Sequence, residues 1–348
     1  MFKVFIKPRL LHISFIIVDL KKPQVSILIP NYNKAPYIQE TLDSVLAQTY
    51  TDWECIIVDD HSTDNSWEIL ENYAEKDSRF KIYRRPGHLP KGGNVCRNFA
   101  FELSKGEFIQ WFDSDDLMYN SFLKERLNYI SNPEIDFSVF IQESKFYNKE
   151  KKNRKKDIIH DFLMLRAVWS GPSMIIKRSF LVKNKLSWIP ELTYFQDIYY
   201  SIYLINLGRF ELNFINDWEW RSITLDHLGY KSDMINDFLI NKSQISIHFK
   251  ALRYLCNGDV LNFYFNWYCY RRVWDIYRLN IDNKQSPYPL FSYLIAPIQF
   301  RTISLFEGVF ILLFGFISFL FNKINKRISL SFLFRATKKH HSLKVSKI

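Results

Sequence analysis

The feature that most constrains this chain is an apolar run, residues 108–112, that ends in the acidic stretch Asp113-Ser114-Asp115-Asp116. The run has the length and composition of a buried strand. Clustered carboxylates repel one another and resist burial unless a cation or hydrogen-bond donors compensate their charge. A divalent ion such as Mg²⁺ or Mn²⁺ would do so, with water and phosphate oxygens completing its shell. The stretch therefore predicts either a metal site or an acidic turn that caps a helix over residues 117–130.

Strand-like and helix-like segments alternate before this stretch. Short apolar runs at residues 25–29, 55–58 and 80–83 predict strands, and apolar residues at helical spacing lie between them. This alternation predicts an α/β fold with a doubly wound, mostly parallel sheet. Ligands of such sheets bind beyond the carboxyl ends of the strands.

Polar residues follow the strands at that edge. Asn31, Tyr32 and Asn33 follow the first strand, and Asp59 and Asp60 end the second. Strand ends that needed only turns would favour glycine and proline. The sequence after the first strand has neither the glycine pattern of a dinucleotide site nor that of a P-loop. We therefore expect a polar, acidic site, with residues 91–94 and Arg97 as alternative phosphate contacts.

Asp197 is a single carboxylate at the start of an aromatic, helical-looking segment that extends to Leu207. It is either a first-turn helix acid or a general base. In the second case apolar surroundings would raise its pKa above the ordinary value of about 3.9.

The net charge of +11 favours an anionic partner. Four scattered cysteines without metal-ligand spacing indicate reduced thiols, and no secretory signal is evident, so we expect a cytoplasmic location.

The most hydrophobic run, residues 303–321, contains Glu307 and precedes a basic tail. It predicts an in-plane or re-entrant contact with the inner face of the cell membrane, and a buried helix is the alternative.

Five ordered segments resemble the family 2 inverting glycosyltransferases of the GT-A fold, of the bacterial surface-polysaccharide type. They are residues 25–33, 44–50, 54–64, 97–98 and 112–116. The resemblance covers about residues 23–225. It implies an N-terminal extension (1–22), a catalytic domain (23–235) with a Rossmann-like nucleotide-binding half, and a helical, aromatic-rich C-terminal region (236–348).

The resemblance also implies roles for individual donor-binding residues. Tyr32 would stack near the nucleobase, Asp60 would bond to it, and Asp59 would support the ribose side. Arg97 would lie near the diphosphate. Asp115 would approach the sugar or ribose, and Asp116 is the expected direct metal ligand, with Asp115 as the second. Pro30, Asn33 and Asp113 complete the donor-binding set.

Asp197 matches the family's catalytic base, although Gln196 replaces the glutamate that usually precedes it. Trp220-Arg221 weakly resembles a late basic segment that closes over the diphosphate. Trp169 and Ser170 are further candidates for contact with the diphosphate or the acceptor.

The function implied is transfer of a sugar from a nucleoside-diphosphate donor, with a UDP-sugar as the expected one, to an acceptor hydroxyl with Mn²⁺ or Mg²⁺ as cofactor. A glycan or lipid-linked acceptor is expected because the C-terminal run suits a membrane-held substrate.

A nucleotidyltransferase is the enzymatic alternative, but such an enzyme would need a basic glycine-rich loop after the first strand. A nucleic-acid-binding module is the non-enzymatic one. We expect no nucleic-acid partner, since an acidic edge repels phosphate.

Overall fold

The computed structural model describes residues 23–141, 158, 169–192 and 196–221. The predicted extension 1–22, the C-terminal region 236–348 and its apolar segment 303–321 lie outside the described residues. Within the ranges just given, no helix has the length and the apolar character that crossing a membrane requires.

A seven-stranded sheet forms the centre of the domain, in the order β3-β2-β1-β4-β7-β6-β8. Strands β1, β2, β3 and β4 are mutually parallel, β7 is antiparallel to its neighbours β4 and β6, and β8 is parallel to β6. The prediction of a mostly parallel sheet is therefore confirmed. The strands of this sheet are β1 (Val25–Asn31), β2 (Trp53–Asp59), β3 (Phe80–Arg84), β4 (Phe108–Trp111), β6 (Phe137–Phe140), β7 (Met174–Lys177) and β8 (Phe210–Asn213).

Helices cover both faces of the sheet because successive strand side chains point to opposite sides. In β1, Ile27 and Ile29 pack on the side of helices α1, α2 and α4, whereas Leu28 packs on the side of α3 and α6. The sheet is thus doubly wound. The helices are α1 (Ala35–Leu46), α2 (Ser66–Lys76), α3 (Gly93–Leu103), α4 (Phe122–Ile130), α5 (Arg178–Lys183) and α6 (Gln196–Leu207).

The acidic stretch does not cap a helix, so that alternative is wrong. Leu117–Met118 forms a strand, β5, which pairs antiparallel with β9 (Trp218–Glu219), and α4 begins only at Phe122. Leu117 and Met118 form a strand instead of a helix because residues about a hundred positions later supply the partner strand. It also brings Arg221 next to the acidic stretch.

Candidate active site

The carboxyl ends of β1 and β2 are joined through a buried aspartate. The parallel register sets Asn31 opposite Asp59, and the Asn31 amide donates to Asp59 Oδ1 at 2.9 Å. The backbone N–H of Ser62 donates to the other oxygen of Asp59 at 2.9 Å. Asp59 is fully buried, so its direct effect is to hold the two strand ends together.

Asp60 connects β2 to the start of α3. Its Oδ1 accepts a bond from Arg85 Nε at 2.5 Å, and its Oδ2 accepts one from the Gly92 N–H at 2.9 Å. Gly92 has φ 149°, a conformation that residues with a Cβ rarely adopt. Asp60 therefore fixes the glycine turn where the sequence predicts phosphate contacts.

Tyr32 presents an accessible aromatic surface at this edge, since 40% of its area is exposed. The Lys91 ammonium lies 3.8 Å from the centroid of its ring, a cation–π contact. Pro30 and Asn33 lie on either side of Tyr32: Pro30 is in β1, in register with Val58, and Asn33 Oδ1 accepts from the Thr63 N–H at 2.8 Å.

Each carboxylate of the acidic stretch contacts a basic residue from a different segment. These contacts are Arg97 Nη2 to Asp113 Oδ1 at 2.8 Å, Lys34 Nζ to Asp115 Oδ2 at 2.6 Å, and the Arg221 backbone N–H to Asp116 Oδ1 at 3.2 Å. Lys34 immediately follows the polar end of β1, so its position in the sequence did indicate that it lies at this edge of the sheet.

Asp116 is almost completely buried. Burial, followed by repulsion from Asp113 and Asp115, raises its pKa to about 9. The ionised form of Asp116 is therefore disfavoured unless a cation compensates it, and a hard divalent ion fits such a donor set. Across the described residues, no three His, Cys, Asp or Glu side chains converge on one point that could hold a metal ion. Mg²⁺ is commonly held by one or two carboxylates together with substrate phosphates. Such an arrangement agrees with the acidic donor set and does not need three protein ligands at one point.

Arg221 holds the acidic stretch against α1. Its guanidinium contacts Glu40, the Tyr37 carbonyl and the Thr41 hydroxyl on that helix, and its Nε donates to the Asp115 carbonyl at 2.5 Å. The side chain is buried and directed at α1. Contact with a diphosphate, as predicted for it, would require it to leave these partners.

Asp197 lies in the first turn of α6 and accepts a hydrogen bond on Oδ1 from the Gly171 N–H at 3.0 Å. Burial raises its pKa to about 6, the Arg97 guanidinium opposes the rise, and the Asp113 carboxylate adds to it. These influences link Asp197 electrostatically to the ion pair at the end of β4. The general-base candidate and the acidic stretch therefore share one site.

Aromatic side chains pack against the Arg97 guanidinium of the Arg97–Asp113 ion pair. The Arg97 guanidinium lies 4.8 Å from the Trp188 ring, and Trp188 stacks on Tyr200 with centroids 4.0 Å apart. Trp188 was not among the predicted site residues, because nothing in the local sequence indicates that it faces Arg97. Trp169 and Ser170 were both expected to contact the diphosphate or the acceptor. Trp169 is only 3% exposed and packs in the core near Phe210, whereas Ser170 is partly accessible.

The order of the strands and the polar edge define the class of protein. The fold is similar to that of S. aureus TarS residues 1–349, solved in complex with UDP, with a TM-score of 0.58, 80% coverage of each chain and 18% identity. The chain thus has a GT-A-type α/β fold. Residues 26–189 match the family model Glycosyl transferase family 2. The match includes the acidic stretch and ends before Asp197.

Two curated relatives are each similar to about a third of the chain. An uncharacterised glycosyltransferase of Haemophilus influenzae is 37% identical over 111 residues, which are 32% of this chain and 44% of that protein. TuaG of Bacillus subtilis, a candidate teichuronic acid biosynthesis glycosyltransferase, is 38% identical over 117 residues, 34% of this chain and 46% of that protein. The matched part spans less than half the length of each relative.

Proposed function

We propose that this protein transfers a sugar from a nucleoside-diphosphate sugar to an acceptor hydroxyl, with inversion at the anomeric carbon. The observation that carries the proposal is the position of Asp197. A carboxylate whose pKa is raised to about 6 lies beside the Arg97–Asp113 ion pair, at the edge of the sheet where ligands of α/β folds bind. A base of that pKa is largely ionised at neutral pH and can still accept a proton.

The donor side of the site is built from the strand ends. Tyr32 offers a face for a nucleobase, Asp60 an acceptor for it, and buried Asp59 supports the ribose side by holding the strand ends. Pro30 and Asn33 lie on either side of Tyr32. Arg97 and Asp113 then lie on the side of the diphosphate and the sugar. The identity of TarS as a UDP-binding protein makes a UDP-sugar the first donor to test.

Asp116 and Asp115 are the residues that would hold Mn²⁺ or Mg²⁺. When bound, such an ion neutralises the charge that develops on the departing diphosphate. Arg97 supplies positive charge to the same region from the protein itself.

Asp197 removes the proton from the acceptor hydroxyl as its oxygen bonds to the anomeric carbon. The bond from that carbon to the diphosphate breaks at the same time, and the nucleoside diphosphate leaves with the bonding electrons. Attack from the face opposite the leaving group inverts the configuration. Gln196 is uncharged, so Asp197 acts without a second acid at the neighbouring position. Ser170, which is partly accessible, is the candidate for a contact with the acceptor.

The acceptor class is proposed from the relatives and from the sequence. The name of TuaG links that protein to a cell-surface polymer, and the apolar run 303–321 with its basic tail suits a membrane-held glycan. We propose a glycan or lipid-linked acceptor and peripheral contact with the inner face of the membrane. If a chain ending near Phe300 partitions to membranes as fully as the whole chain, the membrane contact does not come from this run.

Calorimetric titration with UDP, GDP, CDP and dTDP, each with and without Mn²⁺, tests the donor site. Tight binding of one nucleotide that is lost on chelation and in Asp116→Ala supports the proposal. Asp77→Asn is the matched control, because Asp77 pairs with Arg79 at the end of α2, away from the site. Binding of all four nucleotides without metal, or of none, would contradict the proposed donor and cofactor.

A further inference from the structure

Lys34 is a basic residue at the acidic stretch that the proposed function leaves without a role. Its ammonium lies 2.6 Å from Asp115 Oδ2, the carboxylate expected to take part in holding a metal. Of the three basic side chains at the acidic stretch, it is the most accessible. The side chain of Lys34 is 28% exposed, compared with 8% for Arg97 and 5% for Arg221.

The backbone of Lys34 is fixed by hydrogen bonds to neighbouring groups, whereas its ammonium pairs with Asp115. Its N–H donates to Ser66 Oγ at 2.9 Å, and its carbonyl accepts from the N–H groups of Tyr37 and Ile38, each at 2.9 Å, at the start of α1. The ammonium is therefore held at the end of a flexible four-carbon stem on a rigid base. It can leave Asp115 and remain within the site.

A divalent ion on the same carboxylate would meet this ammonium at close range, and like charges repel strongly at such distances. Lys34 must then move aside. A diphosphate bound at the same edge of the sheet would offer it another anion, and lysine binds phosphate well as a point charge. Arg221 cannot make the same exchange easily, since its guanidinium has several partners on α1.

We propose that Lys34 is an exchangeable cation of this site. Its ammonium competes with a divalent ion for Asp115 and, once displaced, binds a phosphate oxygen of the nucleoside diphosphate. The inference rests on the proposed function. It makes two predictions of opposite sign for one substitution: removal of the charge strengthens binding of the metal alone and weakens binding of the nucleotide.

The test is calorimetry on Lys34→Met, which keeps an unbranched four-atom stem and removes the charged ammonium. Mn²⁺ is titrated alone, and UDP is then titrated at saturating Mn²⁺. We expect Mn²⁺ to bind about fivefold more tightly and UDP about fivefold more weakly than in the wild type, the scale of one partly exposed ion pair. Lys34→Arg keeps the charge and should resemble the wild type in both titrations.

Lys81→Met is the matched control. Lys81 Nζ pairs with Glu54 Oε2 at 2.5 Å and is comparably exposed, but Glu54 lies at the amino end of β2, at the edge of the sheet opposite the site. Both affinities should stay within about twofold of the wild type in this variant. A folded Lys34→Met protein with unchanged or weaker Mn²⁺ binding would overturn the competition, and unchanged UDP binding would overturn the phosphate contact. A wild-type protein that binds neither ligand contradicts the proposed function itself.

Discussion

Arg126 on α4 and Asp217, which precedes β9, form a two-point ion pair that is closed to solvent. Nε lies 2.6 Å from Oδ2, and Nη2 lies 2.9 Å from Oδ1. The remaining nitrogen, Nη1, donates to Gln110 Oε1 at 2.8 Å and to the Pro172 carbonyl at 2.5 Å. One guanidinium therefore connects β4, the turn that contacts Asp197 and the segment that carries Arg221.

Breaking this pair from one side should be severely destabilising. Arg126→Met or Asp217→Leu leaves an uncompensated buried charge, and either should cost about 3–5 kcal/mol of unfolding free energy. The double variant should lose less than either single variant, because it buries no unpaired charge. Urea denaturation of the four proteins provides the measurement. Additive losses in the double variant would show that the partners do not depend on each other.

The rate should depend on pH through Asp197. A general base works only when ionised, and the pKa of Asp197 is raised to about 6. The value of kcat/KM should therefore rise about tenfold per pH unit below pH 6 and level off above it. The check is a pH profile with the donor nucleotide identified by calorimetry. A rate that stays flat between pH 5 and about 7.5 would exclude Asp197 as the base.

Arg97 should set the position of that profile. Its guanidinium lowers the pKa of Asp197, so Arg97→Gln should move the midpoint to higher pH as well as reduce the rate. Arg79→Gln is the control, since Arg79 pairs with Asp77 away from the site. A lower rate with an unmoved midpoint would restrict Arg97 to contacts with the donor.

The same carboxylate should limit stability at neutral pH. Its folded-state pKa, about 6, lies above its unfolded value, so the stabilisation from its protonated form is complete below about pH 4 and is lost as the pH rises through 6. Asp197→Asn cannot ionise and should be more stable than the wild type at pH 8, by about 1–2 kcal/mol after allowance for partial solvent screening. The gain should vanish at pH 4, where thermal unfolding of both proteins gives the comparison. Turnover should be abolished while nucleotide binding is preserved.

The sequence predicted what depends on local pattern. Apolar runs located the strands, and polar residues at their ends located the edge that Asn31, Asp59 and Asp113 share. It could not predict contacts that depend on distant pairing. The β5–β9 pairing brings Arg221 back to the acidic stretch across about a hundred residues, and no local signal shows that Trp188 would face Arg97 or that Arg126 would be buried. Trp169 illustrates the converse: a motif position suggested contact with substrate, but the ring packs in the core.

Gly171 should not tolerate a side chain because it lies between Trp111 and Asp197. A Cβ there would lie 3.2 Å from Trp111 Cβ and 3.9 Å from Asp197 Oδ1. Trp111 Cβ is attached to β4 and cannot yield easily, so Gly171→Ala should shift the turn and weaken the Gly171 N–H bond to Asp197. We expect at least a tenfold fall in kcat, since small displacements of a catalytic group are costly.

Gly87→Ala is the matched control for this substitution, because a Cβ at Gly87 meets nothing within 4 Å. It should leave both kcat and the unfolding temperature close to the wild type. The loss of the Gly171 N–H bond should also raise the pKa of Asp197, since that bond lowers it. The pH profile of Gly171→Ala should therefore move to higher pH, which a general loss of folded protein would not cause. A reduced rate with an unmoved profile would mean that the turn acts on the acceptor and not on the base.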